Sequence, residues 1–169
     1  MLDDSLKKTG VNRAKALLIP LVAASIIVAL SIGLFLLISS RKQQDSEMLE
    51  GAVREGSAEF ATLTRKIIAE TDYENTLESP IGLGTVMMSV AGKLRNRSDK
   101  VIVGLEVKVA VLDMKGIAMQ EKKFIVVPTE KEQLAPGEEM STVVRMDGFA
   151  ENDGRAGVKW KVTAIKVAE

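Results

Sequence analysis

Cysteine and histidine are both missing from the 169 residues, and aromatic side chains are scarce, with one Trp, one Tyr and four Phe. The first absence removes disulfides, thiol nucleophiles and lipid attachment at sulfur. The second removes the imidazole general base, and together they take away the usual ligands of zinc, copper and haem. Stability must therefore come from packing. Neither sign of charge dominates, because 23 basic and 23 acidic residues cancel. A chain with no dense basic face lacks the electrostatic footprint for nucleic acid, so DNA or RNA is not expected as a partner.

Charge is missing altogether from Ala16 to Ser39, ALLIPLVAASIIVALSIGLFLLIS, a run of twenty-four residues. As a helix it would reach ~36 Å, enough to cross a hydrocarbon core of ~30 Å with a modest tilt. The run is longer than the h-region of a cleavable signal, and no Ala-x-Ala-like site follows it. These features predict an uncleaved signal-anchor: a tail over 1–15, a single-pass transmembrane helix over 16–39, a juxtamembrane linker or stalk over 40–57 and a domain over 58–169. Lys7, Lys8, Arg13 and Lys15 precede the span, whereas Arg41, Lys42 and Arg54 follow it. That balance favours a cytoplasmic N-terminus, with the C-terminal domain on the periplasmic side of a bacterial cytoplasmic (inner) membrane. Ser25, Ala29 and Gly33, four apart, form a small-residue face on which a second helix could approach, giving a homo-oligomer or a seat in a larger complex. Small residues are also simply common in membrane helices.

Beyond the linker, Ala58 to Ala69 carries Phe60, Thr62, Thr64, Ile67 and Ile68, types that favour a strand. Thr71 to Leu83 is rich in turn formers and holds Asp72, Glu74 and Glu78 just after Glu70. The spacing is not that of a calcium loop, so a solvated connection is expected there. From Thr85 the hydrophobic period becomes two. Val86, Met88, Val90, Gly92 and Leu94 share one face, then Val101, Val103, Leu105, Val107, Val109 and Val111 share another. Asn96-Arg97-Ser98-Asp99 lies between them as a turn, so the two stretches read as a hairpin. Further strands are expected over Ile117–Val127, Ser141–Met146 and Val158–Val167. In the last, Val158, Trp160, Val162 and Ala164 point inward and Lys159, Lys161 and Thr163 outward. Gly148 to Gly157 reads as a loop. Six or seven short strands, separated by turns and without a convincing helix, predict an all-β class and an antiparallel β-sandwich.

The layout Gly92-Lys93-Leu94-Arg95-Asn96-Arg97-Ser98, then Leu112-Asp113-Met114-Lys115-Gly116, then Leu134-Ala135-Pro136-Gly137-Glu138 resembles small bacterial immunoglobulin-like domains of the FxLYD type. It is also similar to uncharacterised single-pass membrane families that carry such a sandwich, and more distantly to the water-stress and hypersensitive-response domain. Val109-Ala110-Val111-Leu112-Asp113 stands where the FxLYD aromatic pair would be. The resemblance implies a seven-stranded immunoglobulin-like sandwich displayed beside a membrane, without enzymatic activity.

Catalytic candidates are few. Ser89 and Lys93, four apart on one strand, stand about 13 Å from each other, too far for proton transfer. Glu138-Glu139 belong to a turn without an obvious partner. No enzyme, cofactor or metal is therefore expected. Lys93, Arg95, Arg97 and Lys100 form the most basic patch, suited to lipid headgroups or an acidic partner, or else serving only as a charged strand face. Trp160 reads as core, and the scattered methionines as gap fillers. The expected function is a membrane-anchored binding or scaffolding module for an unidentified protein, using a sheet edge or the segments Thr71–Leu83 and Gly148–Gly157. A spacer subunit held through the span, and a lipid- or small-ligand-binding sandwich, are the alternatives.

Overall fold

A computed structural model of the chain describes Val28 and residues 30–33, 47–82 and 84–168, which fall in two separate units, 1–46 and 47–169. In the first unit, Val28 and residues 30–33 are helical, and Val28, Leu30 and Ile32 are each more than half exposed. The rest of the expected span, with Ser25 and Ala29, lies outside the described residues. Among the described residues no helix is long and apolar enough to cross a membrane. Gly33 is described, and the position of a Cβ there would meet nothing within 4 Å.

The second unit begins inside the stretch expected as linker. Leu49 is buried, and a two-residue strand β1 (Val53–Arg54) pairs antiparallel with the C-terminal strand. The next segment corrects the expectation of a strand over Ala58–Ala69: α1 spans Ala58–Thr64. Ser57 caps it, its Oγ accepting from the Phe60 N–H at 3.1 Å, and Phe60 and Leu63, three apart, are buried on one side. A good N-cap and an i,i+3 apolar pair outweigh the β-favouring composition. The strand begins only at Ile67, as β2 (Ile67–Thr71).

The strands that follow are β3 (Leu77–Gly82), β4 (Thr85–Asn96), β5 (Ile102–Asp113), β6 (Ala118–Val127), β7 (Glu139–Ala150) and β8 (Arg155–Val167). They form two antiparallel sheets. One has the order β1-β8-β5-β6; in the other β4 is central, pairing β7 along nearly its whole length and β2 and β3 end to end along the opposite edge. The expected hairpin is thereby corrected: β4 and β5 lie in different sheets, and the Asn96–Asp99 turn carries the chain across. Two loops are also shorter than expected, since Leu77–Gly82 is a strand and β7 and β8 reach to Ala150 and from Arg155.

Burial explains why the crossing is fixed. Asn96 is fully buried; its amide donates to the carbonyls of Lys100 (2.8 Å) and Leu134 (3.0 Å), and its Oδ1 accepts from the Ser98 N–H (2.9 Å) and Oγ (2.6 Å). The Asn96 backbone also exchanges bonds with Gly137 and Glu138. A single amide thus ties the crossing turn to the Leu134–Glu138 turn.

Between the sheets, side chains from β4, β5, β7 and β8 form one contiguous cluster with Phe60 and Leu63 of α1. Val86, Met88, Val90 and Leu94 enter from β4 in the predicted phase. On β5 the phase holds from Leu105 onward, but Ile102 is buried where Val101 and Val103 were expected. A register shift against β8 between Ile102 and Gly104 moves the alternation by one residue. Trp160 is buried, as its place on β8 predicts, and its ring lies against Gly92 of the facing sheet. Thr163 faces outward as expected, among Arg54, Glu55, Lys108 and Lys123, but is covered there to 8% exposure, its hydroxyl donating to Glu106 Oε1 at 2.5 Å.

Candidate functional site

The two segments singled out in the sequence, Thr71–Leu83 and Gly148–Gly157, meet in space. Glu78, on the edge strand β3, receives two bonds from the Arg155 guanidinium at the start of β8, 3.2 Å from Nε and 3.0 Å from Nη2. The same guanidinium donates to Asp153 Oδ2 (2.8 Å) and the Ala150 carbonyl (2.7 Å), and lies 5.2 Å from the centroid of the Phe149 ring. Its side chain is 9% exposed. Burial alone would lower the Arg155 pKa, but the Glu78 and Asp153 carboxylates outweigh that and leave it raised. The cation joins one sheet to the other at their open edge, across 77 residues of chain.

Beside this joint runs a groove of about 260 Å³, lined by Tyr73, Thr76, Glu78 and Met88 on one side and by Arg155 to Val158 on the other. It is open at Tyr73, whose ring is 67% exposed. The Asp72–Thr76 turn that carries Tyr73 is held firmly. Asp72 N–H donates to the Ala91 carbonyl, Ala91 N–H donates to Thr76 Oγ1, and Thr76 Oγ1 donates to the Asp72 carbonyl at 2.8 Å. Bonds from the Asn75 amide (2.9 Å) and then Lys93 Nζ (3.1 Å) hold the Asp72 carboxyl below the usual carboxylate range. An exposed ring on a well-fixed turn, beside an ion pair whose Glu78 carboxylate is half exposed, suits recognition of one side chain of a partner together with adjoining backbone.

The predicted basic patch is partly neutralised by its neighbours. Lys93 pairs with Asp72 and Arg95 with Glu139 (3.8 Å), while Arg97 and Lys100 are exposed beyond the strand. The outer face of the other sheet holds cations that sequence reasoning missed as a group. Lys108 lies opposite both Lys123 and Lys161, with Arg54 and Lys159 on the same sheet. Glu55 pairs with Lys161 (2.6 Å), Glu121 with Lys108 (2.8 Å) and Glu106 with Arg54 (3.7 Å) and Lys123 (3.6 Å). The outward alternation of Glu106-Val107-Lys108 and Lys159-Trp160-Lys161 was legible, but which strands would stand side by side was not. Among the described residues no group of three acidic side chains could hold a metal ion.

No family model matches the chain, and no curated protein matches it. Two solved structures resemble it: a DUF1425 family member from Shewanella sp. pv-4 (13% identity, 57% of this chain and 75% of that one, TM-score 0.32) and a Bordetella pertussis protein solved under the name ApaA (16% identity, 48% and 63%, TM-score 0.30). At those scores neither likeness bears on fold or function.

Proposed function

We propose that this chain is a single-pass, membrane-anchored, non-catalytic binding module whose immunoglobulin-like sandwich engages a partner protein through the Tyr73/Arg155 groove. The observation that carries it is the convergence of two distant segments on one groove, with the exposed Tyr73 ring at its mouth and the Arg155–Glu78 ion pair in its wall. The anchor rests on the uncharged run Ala16–Ser39, and the basic tail before it supports a cytoplasmic N-terminus with the sandwich outside the cytoplasm. The non-catalytic reading rests on the lack of His and Cys and on the distribution of Ser, Lys and carboxylates. Space between the sheets is taken by the core cluster, so a small ligand or lipid would have to use the groove at the edge rather than the interior.

The test is to crosslink the full chain and a fragment lacking residues 1–42 against the same membrane extract. A binding module captures the same partner in both forms. Capture by the full chain alone would move the activity to the span and overturn this reading.

A further inference from the structure

We infer that the free edge of β7 pairs antiparallel with β7 of a second copy of this chain, with Arg145 of each copy opposite Glu139 of the other. The edges of β8, β3 and β6 each carry a protective feature. The edge of β8 is covered by β1 at one end, and at the other Thr71 Oγ1 donates to the Val158 carbonyl at 3.4 Å. On β4 the Ala91 N–H and carbonyl point toward the Asp72–Thr76 turn, so the partners of odd-numbered β4 residues on β3 also face β4. Glu78 and Pro80 then face outward, and Pro80 has no N–H to offer there, next to a register shift at Gly82. The edge of β6 presents Lys122 and Lys123.

β7 has none of these devices over Glu139–Met146. Among the described residues it is paired on one side only, by β4 in unbroken register over that stretch. Its even-numbered residues are buried, and Ser141, Val143 and Arg145 are exposed on the outer face. Val90, Gly92 and Leu94 of β4 face β7 and lie opposite Val144, Thr142 and Met140, so the N–H and C=O groups of Ser141, Val143 and Arg145 point away from the sheet. The edge is self-complementary. With Ser141 opposite Val143 of the second copy, each Arg145 meets a Glu139; the register two residues on would set Glu139 against Asp147 instead, a like-charge clash. The two-fold arrangement joins the two sheets into one and covers Val143, which is 53% exposed.

The absence of cysteine makes the test direct. Full chains carrying Ser141→Cys and Val143→Cys, co-produced with distinct tags and briefly oxidised in the membrane, should give a mixed disulfide dimer, since opposed Cα atoms stand ~5.5 Å apart. Val143→Cys alone, on the ~7–8 Å diagonal, and Lys159→Cys on the other sheet should crosslink at least tenfold less. Arg145→Glu should abolish the mixed dimer, and Glu139→Arg with Arg145→Glu should restore it. Equal crosslinking by Val143→Cys alone, no mixed dimer, or indifference to Arg145→Glu overturns the proposal.

Discussion

Replacing Gly92 by alanine probes the point where the two sheets come closest to a fixed ring. A Cβ on residue 92 would stand 2.4 Å from Trp160 Cζ2 and 2.7 Å from Cε2 and Cη2. Carbon atoms need about 3.5 Å, so the indole or the β4 backbone must move by about 1 Å. Trp160 is 8% exposed and sits in the core cluster, so the shift propagates into close-packed neighbours rather than solvent. Overpacking of this kind costs ~1–3 kcal/mol, or a melting temperature lower by roughly 3–10 °C for a domain of this size. Trp160→Phe removes the six-membered ring that Gly92 faces, and its indole Nε1 has no hydrogen-bond partner to lose. Urea denaturation of residues 47–169, followed by far-UV circular dichroism, should therefore show Gly92→Ala strongly destabilising in the native background and much less so with Trp160→Phe. The coupling should be at least about 1 kcal/mol. A Gly92→Ala variant within ~0.5 kcal/mol of the parent, or purely additive effects, would refute the contact as the reason for glycine here.

Asn96→Asp keeps the size of the side chain but removes the two N–H donors that satisfy the Lys100 and Leu134 carbonyls. It should lower unfolding stability by about 2–4 kcal/mol at neutral pH, read from the urea midpoint, whereas Arg97→Ala, on an exposed neighbour, should change it little. Acid should act through carboxyls whose pKa is depressed in the folded chain. Glu138 is held down by Lys131 and then the Ala135 N–H, Asp72 by Asn75 and Lys93, and Asp99 by its own backbone N–H and Lys66. A depressed folded pKa contributes stability that is present above the unfolded value and lost as pH falls through the folded one. Midpoints should thus be flat from about pH 5 to 8 and fall below about pH 4, with a shallower fall in Glu138→Gln.

Strand periodicity was legible because burial on one face needs only local alternation, as along Val86–Leu94 and Leu105–Val111. Pairing was not. The Asn96–Asp99 turn looks like any hairpin turn until the Asn96 amide reaches carbonyls on both Lys100 and Leu134, one of them 38 residues away. The helix at Ala58 was hidden by threonines and isoleucines, although Ser57 and the Phe60/Leu63 spacing announce it. Each half of the groove was visible as a segment rich in turn formers and acids. Nothing near Glu78 names Arg155, since the bond depends on how two sheets stack. The charged outer face around Lys108 was missed for the same reason, because three separate strands must lie in order before their lysines adjoin.

Docking of a partner protein at the Tyr73/Arg155 groove can be read at a single residue. A photo-activatable phenylalanine is placed at residue 73 of the full chain in its own membrane, with residue 159 as the control on the opposite sheet. A docked partner should give one discrete protein adduct from position 73, lost when Arg155→Ala dismantles the groove and absent from position 159. Adducts from position 159 and none from 73 would contradict it.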